Sequence, residues 1–304
     1  MEDLFGDITS DYDNFTLFQD EAGCESNFFY HGYLLVDNRF GRRILDDILS
    51  AKGEKSKYSD ITFKEIKKDD YRVRIVTKWL ELVDEWLKSG KIRFFVLGVD
   101  KNNLKNLWDN SWSFEKNIYL RFFEIGLNSL IGWFKNDPGL CKPIQISHIF
   151  YEHGNYDDER KNKIEWLESL QSCEIYEPVY SNPKIQLLKD KRLCEMSNLI
   201  QLTDVLLGIT THSFVKINDR HVGKQKCVEA FIDVVERFNN KRAYNTKSRY
   251  YKRYALQFFP SQSSITKSEF LSCDVESVKK RGGFYFERPT YRQKIKLERN
   301  LKLI

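Results

Sequence analysis

Cysteine is scarce in this chain and poorly placed for bridging. Six residues, Cys24, Cys141, Cys173, Cys194, Cys227 and Cys273, are scattered over 304 positions. None forms a CxxC, so neither a zinc ribbon nor a dithiol redox motif is encoded. Free thiols in a reducing compartment are the expectation. No apolar run approaches the roughly 18–20 residues of a membrane span. Met1-Glu2-Asp3 has neither the basic start nor the apolar stretch of a secretory signal. A soluble, cytoplasmic protein without a membrane partner is expected. Phosphate-cradling glycine loops are missing too, since nothing matches GxGxxG or the Walker pattern. Without a Gly-x-Ser-x-Gly elbow, acyl transfer has no motif either. His148 and His153 flank Glu152 but form no HExxH, which argues against a zinc site. Internal repeats and low-complexity runs are also absent.

What is present is ordinary apolar content, 41%, and many aromatics, 14%. That composition suits one large domain, or one with an appended part. Charge is unevenly distributed. Residues 241–304 carry 16 Lys+Arg against 5 Asp+Glu, a net of +11 in a chain of +5, so the first 240 residues carry −6. A basic end on an acidic body suits contact with phosphates. Disordered tails are usually aromatic-poor, whereas this one holds Tyr250, Tyr251, Tyr254, Phe258, Phe259, Phe284, Tyr285 and Phe286.

Periodicity yields an element order. Residues 14–20 and 27–36 read as two strands joined by a Gly-containing turn at Glu21 to Cys24. Arg39 to Ser50 reads as a short helix closed by Gly53. Ser59 to Ile66 alternates well enough for a third strand, with Lys64 and Glu65 as a solvated edge pair. From Asp69, Val73, Val76, Leu80, Val83 and Leu87 fall at helical spacing, and Gly90 is the stop. Ile92 to Val99 reads as a fourth, buried strand ending at Asp100. A helix over 114–134 follows, stopped by Asp137-Pro138-Gly139. Ile144 to Tyr151 is a fifth strand with Glu152 at its end, and Asp157 to Leu170 another helix. The first and fourth strands, 14–20 and 92–99, are expected side by side in a mixed five-stranded α/β sheet.

Two acidic segments stand out. Gln19-Asp20-Glu21-Ala22-Gly23 puts carboxylates at the end of a strand, beside a turn. Gln201-Leu202-Thr203-Asp204 puts another in an apolar helix, where a carboxylate is costly unless paired, hydrogen-bonded or bound to a metal. Gln201 and Asp204 are three apart and share a surface, so the amide is placed to orient the carboxylate or a ligand water. Asp100 and Glu152 end strands four and five, and open sheets bind ligands at the carboxyl ends of parallel strands. Each has a plainer reading: a turn for Asp20 and Glu21, a polar loop for Asp100, a solvated helix face for Asp204.

The acidic turn after strand one, followed far downstream by Ser197-x-x-Ile200-Gln201-Leu202-x-Asp204-x-x-x-Gly208, resembles the family catalogued as domain of unknown function 3800. The resemblance covers about residues 14–215. It implies a ribonuclease H-like domain over 10–215 and leaves 216–304 as a basic, aromatic-rich, mostly helical extension. Members are often associated with mobile elements and phage defence. Ala22 stands where Ser is common in the family, and Glu152 near where an Asp often ends strand five.

The expected activity is hydrolysis of phosphodiester bonds in DNA or RNA. Asp20, Asp204 and one or both of Asp100 and Glu152 would hold one or two Mg²⁺ or Mn²⁺ ions, with Glu21 assisting. Nucleic acid would be gripped by Arg249, Lys252 and Arg253 among the tyrosines, and by Lys279, Lys280 and Arg281. Alternatively, those aromatics fasten the extension to the domain while the charges face solvent. The competing function is a non-catalytic module with the same fold that binds nucleic acid or a protein partner.

Overall fold

The computed structural model describes residues 13–23, 28–54, 59–101, eleven positions between 122 and 140, and residues 144–152, 184–188, 195–212, 221–239 and 253–259. The expected helix over 157–170, Arg249, Lys252 and Lys279 to Arg281 lie outside the described residues. So does most of the expected helix over 114–134, although the described positions from 122 to 134 outside its gaps are helical.

Six strands form one mixed α/β sheet, flanked by helices, in the order β5-β4-β1-β2-β3-β6. They are β1 (Asp13–Ala22), β2 (Phe28–Asp37), β3 (Ile92–Asp100), β4 (Ile144–Glu152), β5 (Lys184–Leu188) and β6 (Tyr254–Phe259). Strand β2 runs antiparallel to β1 and β3, while β4 is parallel to β1, β5 to β4 and β6 to β3. Every strand except β2 therefore ends at the same edge of the sheet. The 92–100 strand pairs with β2 and not with β1, contrary to the sequence expectation. The strand beside β1 is β4.

The expected strand over 59–66 does not form. Alternation there is real, since Ile61 and Phe63 are buried and Lys64 and Glu65 exposed. Thr62 is extended, with φ −112° and ψ 143°, before a single 3-10 turn at Phe63–Glu65. What is missing is a strand partner. The Ile61 and Phe63 amides donate instead to the side chains of Gln201 and Asp204.

Besides the helical positions between 122 and 134, the described helices are α1 (Gly41–Lys52), α2 (Tyr71–Ser89), α3 (Ser197–His212) and α4 (Val222–Asn239). Gly53 and Gly90, at φ 71° and 77°, close α1 and α2 in a backbone region glycine enters without strain. The Asp70 carboxylate accepts from the Arg72 amide to start α2. Helix α3 lies on the face of Phe18, Gly32 and Phe94, where a Cβ on Gly32 would sit 3.2 Å from Leu207. The opposite face is covered by the helical residues after 122: the Tyr33 hydroxyl donates to the Phe123 carbonyl at 3.0 Å, and Gly126 abuts its ring. Helices α1 and α4 pack against α3, and α2 packs against both of them, with its Trp79 indole donating to the Ile48 carbonyl of α1.

Strand β6 falls in the stretch expected to be mostly helical, and it is the edge strand of the same sheet. Tyr254 is 1% exposed and its hydroxyl meets that of Thr210 on α3. Arg253 is 2% exposed. Its guanidinium bonds the Asp137 carboxylate at 2.9 Å and the Leu87 and Lys88 carbonyls, while Arg93 reaches the same carboxylate at 2.8 Å. Arg253 is therefore no phosphate contact on an open surface, because its donors are spent inside. Breaking a buried ion network from one side is far costlier than any surface pair. Asp137→Asn faces two buried guanidiniums with a neutral amide, and we expect it to lower the unfolding free energy by about 3–5 kcal/mol in urea denaturation.

Candidate functional site

Strand β1 positions the first carboxylate. Asp20 is partly buried near the strand's end, and its Oδ1 accepts from the Glu21 amide at 2.8 Å. Side chains alternate across a sheet, so Asp20 shares a face with Thr16 and Phe18, the face that α3 covers. Glu21 points the other way. Its Oε1 accepts from Gln19 Nε2 at 3.0 Å and lies 4.0 Å from His31 Nδ1. Sequence reasoning grouped Glu21 with Asp20, but strand alternation separates them.

A β-bulge brings the backbone of Glu152 level with Asp20. Phe15 pairs with Ile146 but Thr16 with His148, which makes Ser147 the extra residue. The Ser147 hydroxyl donates to the Phe15 carbonyl and accepts from Asn38 Nδ2 at 2.8 Å, while Asn38 Oδ1 accepts from Thr16. Gln19 then pairs with Tyr151, so Asp20 and Glu152 are the next residues along adjacent parallel strands, about 4.8 Å apart in backbone.

Asp100 is elsewhere. Asp20 pairs with Gly32 and Gly32 with Val96, so Val96 is level with Asp20. Asp100 lies four residues farther on and two strands across, roughly 13 Å by 10 Å from Asp20. It is also 1% exposed. The register removes it from a set built on Asp20.

Asp204 and Gln201 stand on α3, over the same face as Asp20, and each fastens the 59–66 segment. Asp204 Oδ2 accepts from the Phe63 amide at 2.6 Å and Gln201 Oε1 from the Ile61 amide at 3.1 Å. Gln201 Oε1 also accepts from the Lys52 ammonium at 3.0 Å, which donates in addition to Asn198 Oδ1 at 2.7 Å and the Ser59 carbonyl at 2.6 Å. Burial pushes Lys52 down to about 8, opposed by the Asp60 charge. Three acceptors match its three donors, which favours the ammonium form. This lysine was not singled out from the sequence, where it is one of many in a charged helix.

Around Asp204 the surroundings are basic. Lys224 on α4 is 8% exposed, with its ammonium 5.1 Å from the centre of the Phe63 ring. The His212 ring meets Phe63 edge-on at 4.8 Å. Burial first, then the Lys224 and His221 charges, hold His212 down to about 4 against its bond to the Gly208 carbonyl.

Among the described residues, no three His, Cys, Asp or Glu side chains form a metal-ligating group, and Glu152's side chain lies outside that set. No described helix is long and apolar enough to cross a membrane. No protein-family model, curated protein or solved structure matches the chain.

Two measurements probe this region. Asp204→Asn keeps an acceptor for the Phe63 amide and should stay within about 1 kcal/mol of the parent in urea denaturation, whereas Asp204→Ala should lose about 1–3 kcal/mol. His212 stays neutral in the fold down to about pH 4, while the unfolded chain takes up its proton near 6.5. Its contribution is thus complete above pH 6.5 and is lost as pH falls towards 4. His212→Phe should flatten the decline in stability over that window by about 1–2 kcal/mol, a figure discounted for partial exposure.

Proposed function

We propose that the chain is a metal-dependent nuclease with a ribonuclease H-like fold, akin to the domain of unknown function 3800 family. The observation that carries this reading is the bulged β1–β4 register, which sets Glu152 beside Asp20 under the helix that bears Asp204. Asp20 and Glu152 are the proposed pair of ligands, with Asp204 completing the set. Asp100 and Glu21 have no part in it. The strand order β5-β4-β1-β2-β3 supports the fold assignment, with β6 added at the edge.

The donor chemistry fits Mg²⁺ or Mn²⁺. Two carboxylates one strand apart repel until a cation lies between them, and hard cations prefer such oxygens. A bound ion would supply Lewis acidity towards the phosphodiester and lower the pKa of the attacking water. The residues hold and orient. Asp20 is steadied by its bond from the Glu21 amide, and Asp204 by its bond from the Phe63 amide.

One observation favours the non-catalytic alternative: Gln201 and Asp204 both already fasten the 61–63 backbone, a purely structural task. The two readings separate on one pair of assays. A nuclease gains about 2–3 kcal/mol of stability at a hundredfold excess of Mn²⁺ over its Kd, and degrades RNA, DNA or hybrid substrates. Asp20→Asn and Glu152→Gln should each cut that cleavage by on the order of a hundredfold. No Mn²⁺ shift, together with equal cleavage by parent and variants, refutes the catalytic reading.

A further inference from the structure

The acidic and basic residues between 64 and 72 divide unevenly. Glu65 and Asp70 both pair with Arg72, at 3.6 and 3.2 Å, and Asp69 pairs with Lys226. Lys64 and Lys67 form no ion pair among the described residues, and both are exposed. Helix α4 brings a third cation to them. Its Gly223 amide points at the Lys67 carbonyl at 3.4 Å, and a Cβ on Gly223 would sit 2.3 Å from the Lys68 carbonyl oxygen. The next residue is Lys224, which is tucked over the Phe63 ring. Burial lowers its ammonium from the ordinary value, Asp204 opposes that shift, and Lys67 and Lys64 deepen it.

Lys224 covers the ring of Phe63, the neighbour of Lys64, and Gly223 meets the backbone of Lys67, so three lysines gather on this side of the segment beside Asp204, whose charge offsets that of Lys224. Such a cluster holds a standing excess of positive charge that an anion relieves. Salt-paired lysines would be a solvated face; among the described residues Lys64 and Lys67 form no ion pair, and with Lys224 they flank a candidate catalytic carboxylate. Lysine meets phosphate as a compact point charge and needs no planar geometry.

We infer that Lys64, Lys67 and Lys224 form a phosphate-binding patch that seats the sugar–phosphate backbone of a nucleic acid against the Asp204 side of the candidate site. The patch rests on the phosphodiester reading but not on metal chemistry. It uses α4 and the 63–68 segment, neither of which lies in the strongly basic stretch 241–304.

The test is binding of labelled single-stranded DNA and RNA oligonucleotides to the full chain in EDTA, at two salt concentrations. The parent is compared with Lys64→Ser/Lys67→Ser, with Lys224→Met, which keeps the apolar stem over Phe63, and with Arg43→Ser/Lys78→Ser. That last pair removes equal charge from exposed positions on α1 and α2. The double patch variant should bind about tenfold more weakly, with a salt slope shallower by about 1.4, two single-strand contacts' worth. Lys224→Met should lose affinity in the same direction, and the control should match the parent. Equal affinity and slope in parent and patch variants overturns the inference, as does an equal loss in the control or a parent that binds neither oligonucleotide. Mn²⁺ stabilisation of the same proteins separates the two ideas. A retained Mn²⁺ shift with unchanged binding removes the patch alone, and lost binding without any Mn²⁺ shift removes the metal site alone.

Discussion

Strand β1 is hydrogen-bonded along both edges and covered on both faces, so what its side chains can do depends on its register against its neighbours. Against β2 that register is regular from Phe15 to Ala22. Against β4 it slips by one residue at Ser147. Without the slip Tyr151 would stand beside Asp20, and Glu152 would fall on the opposite face with Glu21. The bulge is itself built, because Asn38 bonds both the buried Thr16 hydroxyl and the half-buried Ser147 hydroxyl. A polar insert between two strands thus decides which residue of β4 stands level with Asp20.

Helix α3 solves a different problem. It is buried along nearly its whole length, yet carries Asn198, Gln201, Thr203, Asp204 and Thr210. Thr203 and Thr210 return their hydroxyls to the carbonyls four residues earlier. The amides and the carboxylate act outward on the 59–63 backbone and on Lys52. Residues 61 and 63 present amides on one side, as an edge strand does, and the helix answers with side chains one turn apart. The arrangement replaces a strand-to-strand ladder by a strand-to-helix one.

Much of the fold was legible in the sequence where local chemistry decides it. Strands β1 to β4 and helices α1 to α3 follow from alternation, helical spacing and the stops at Gly53 and Gly90. The 59–66 segment was misread because alternation reports burial and says nothing of who receives the backbone bonds. Strand β6 was missed because Tyr254-Ala-Leu-Gln-Phe-Phe sits in a basic stretch whose burial depends on Asp137, more than a hundred residues away. The same distance hid Arg253. Of the candidate site, Asp20 and Glu152 were legible only as strand ends, and lateral register is what separates them from Asp100. Glu21 was misplaced although the rule of alternation was available.

Because β6 runs parallel to β1 and β4, the chain leaves it at Phe259 on the edge of the sheet where Asp20 and Glu152 lie. Arg253, anchored at the start of that strand, fixes the exit point. Lys279 follows Phe259 by twenty residues in the sequence, and twenty residues of any chain reach at most about 70 Å. Everything that follows Phe259 in the sequence therefore starts from the edge where Asp20 lies, and not from the far edge of the sheet.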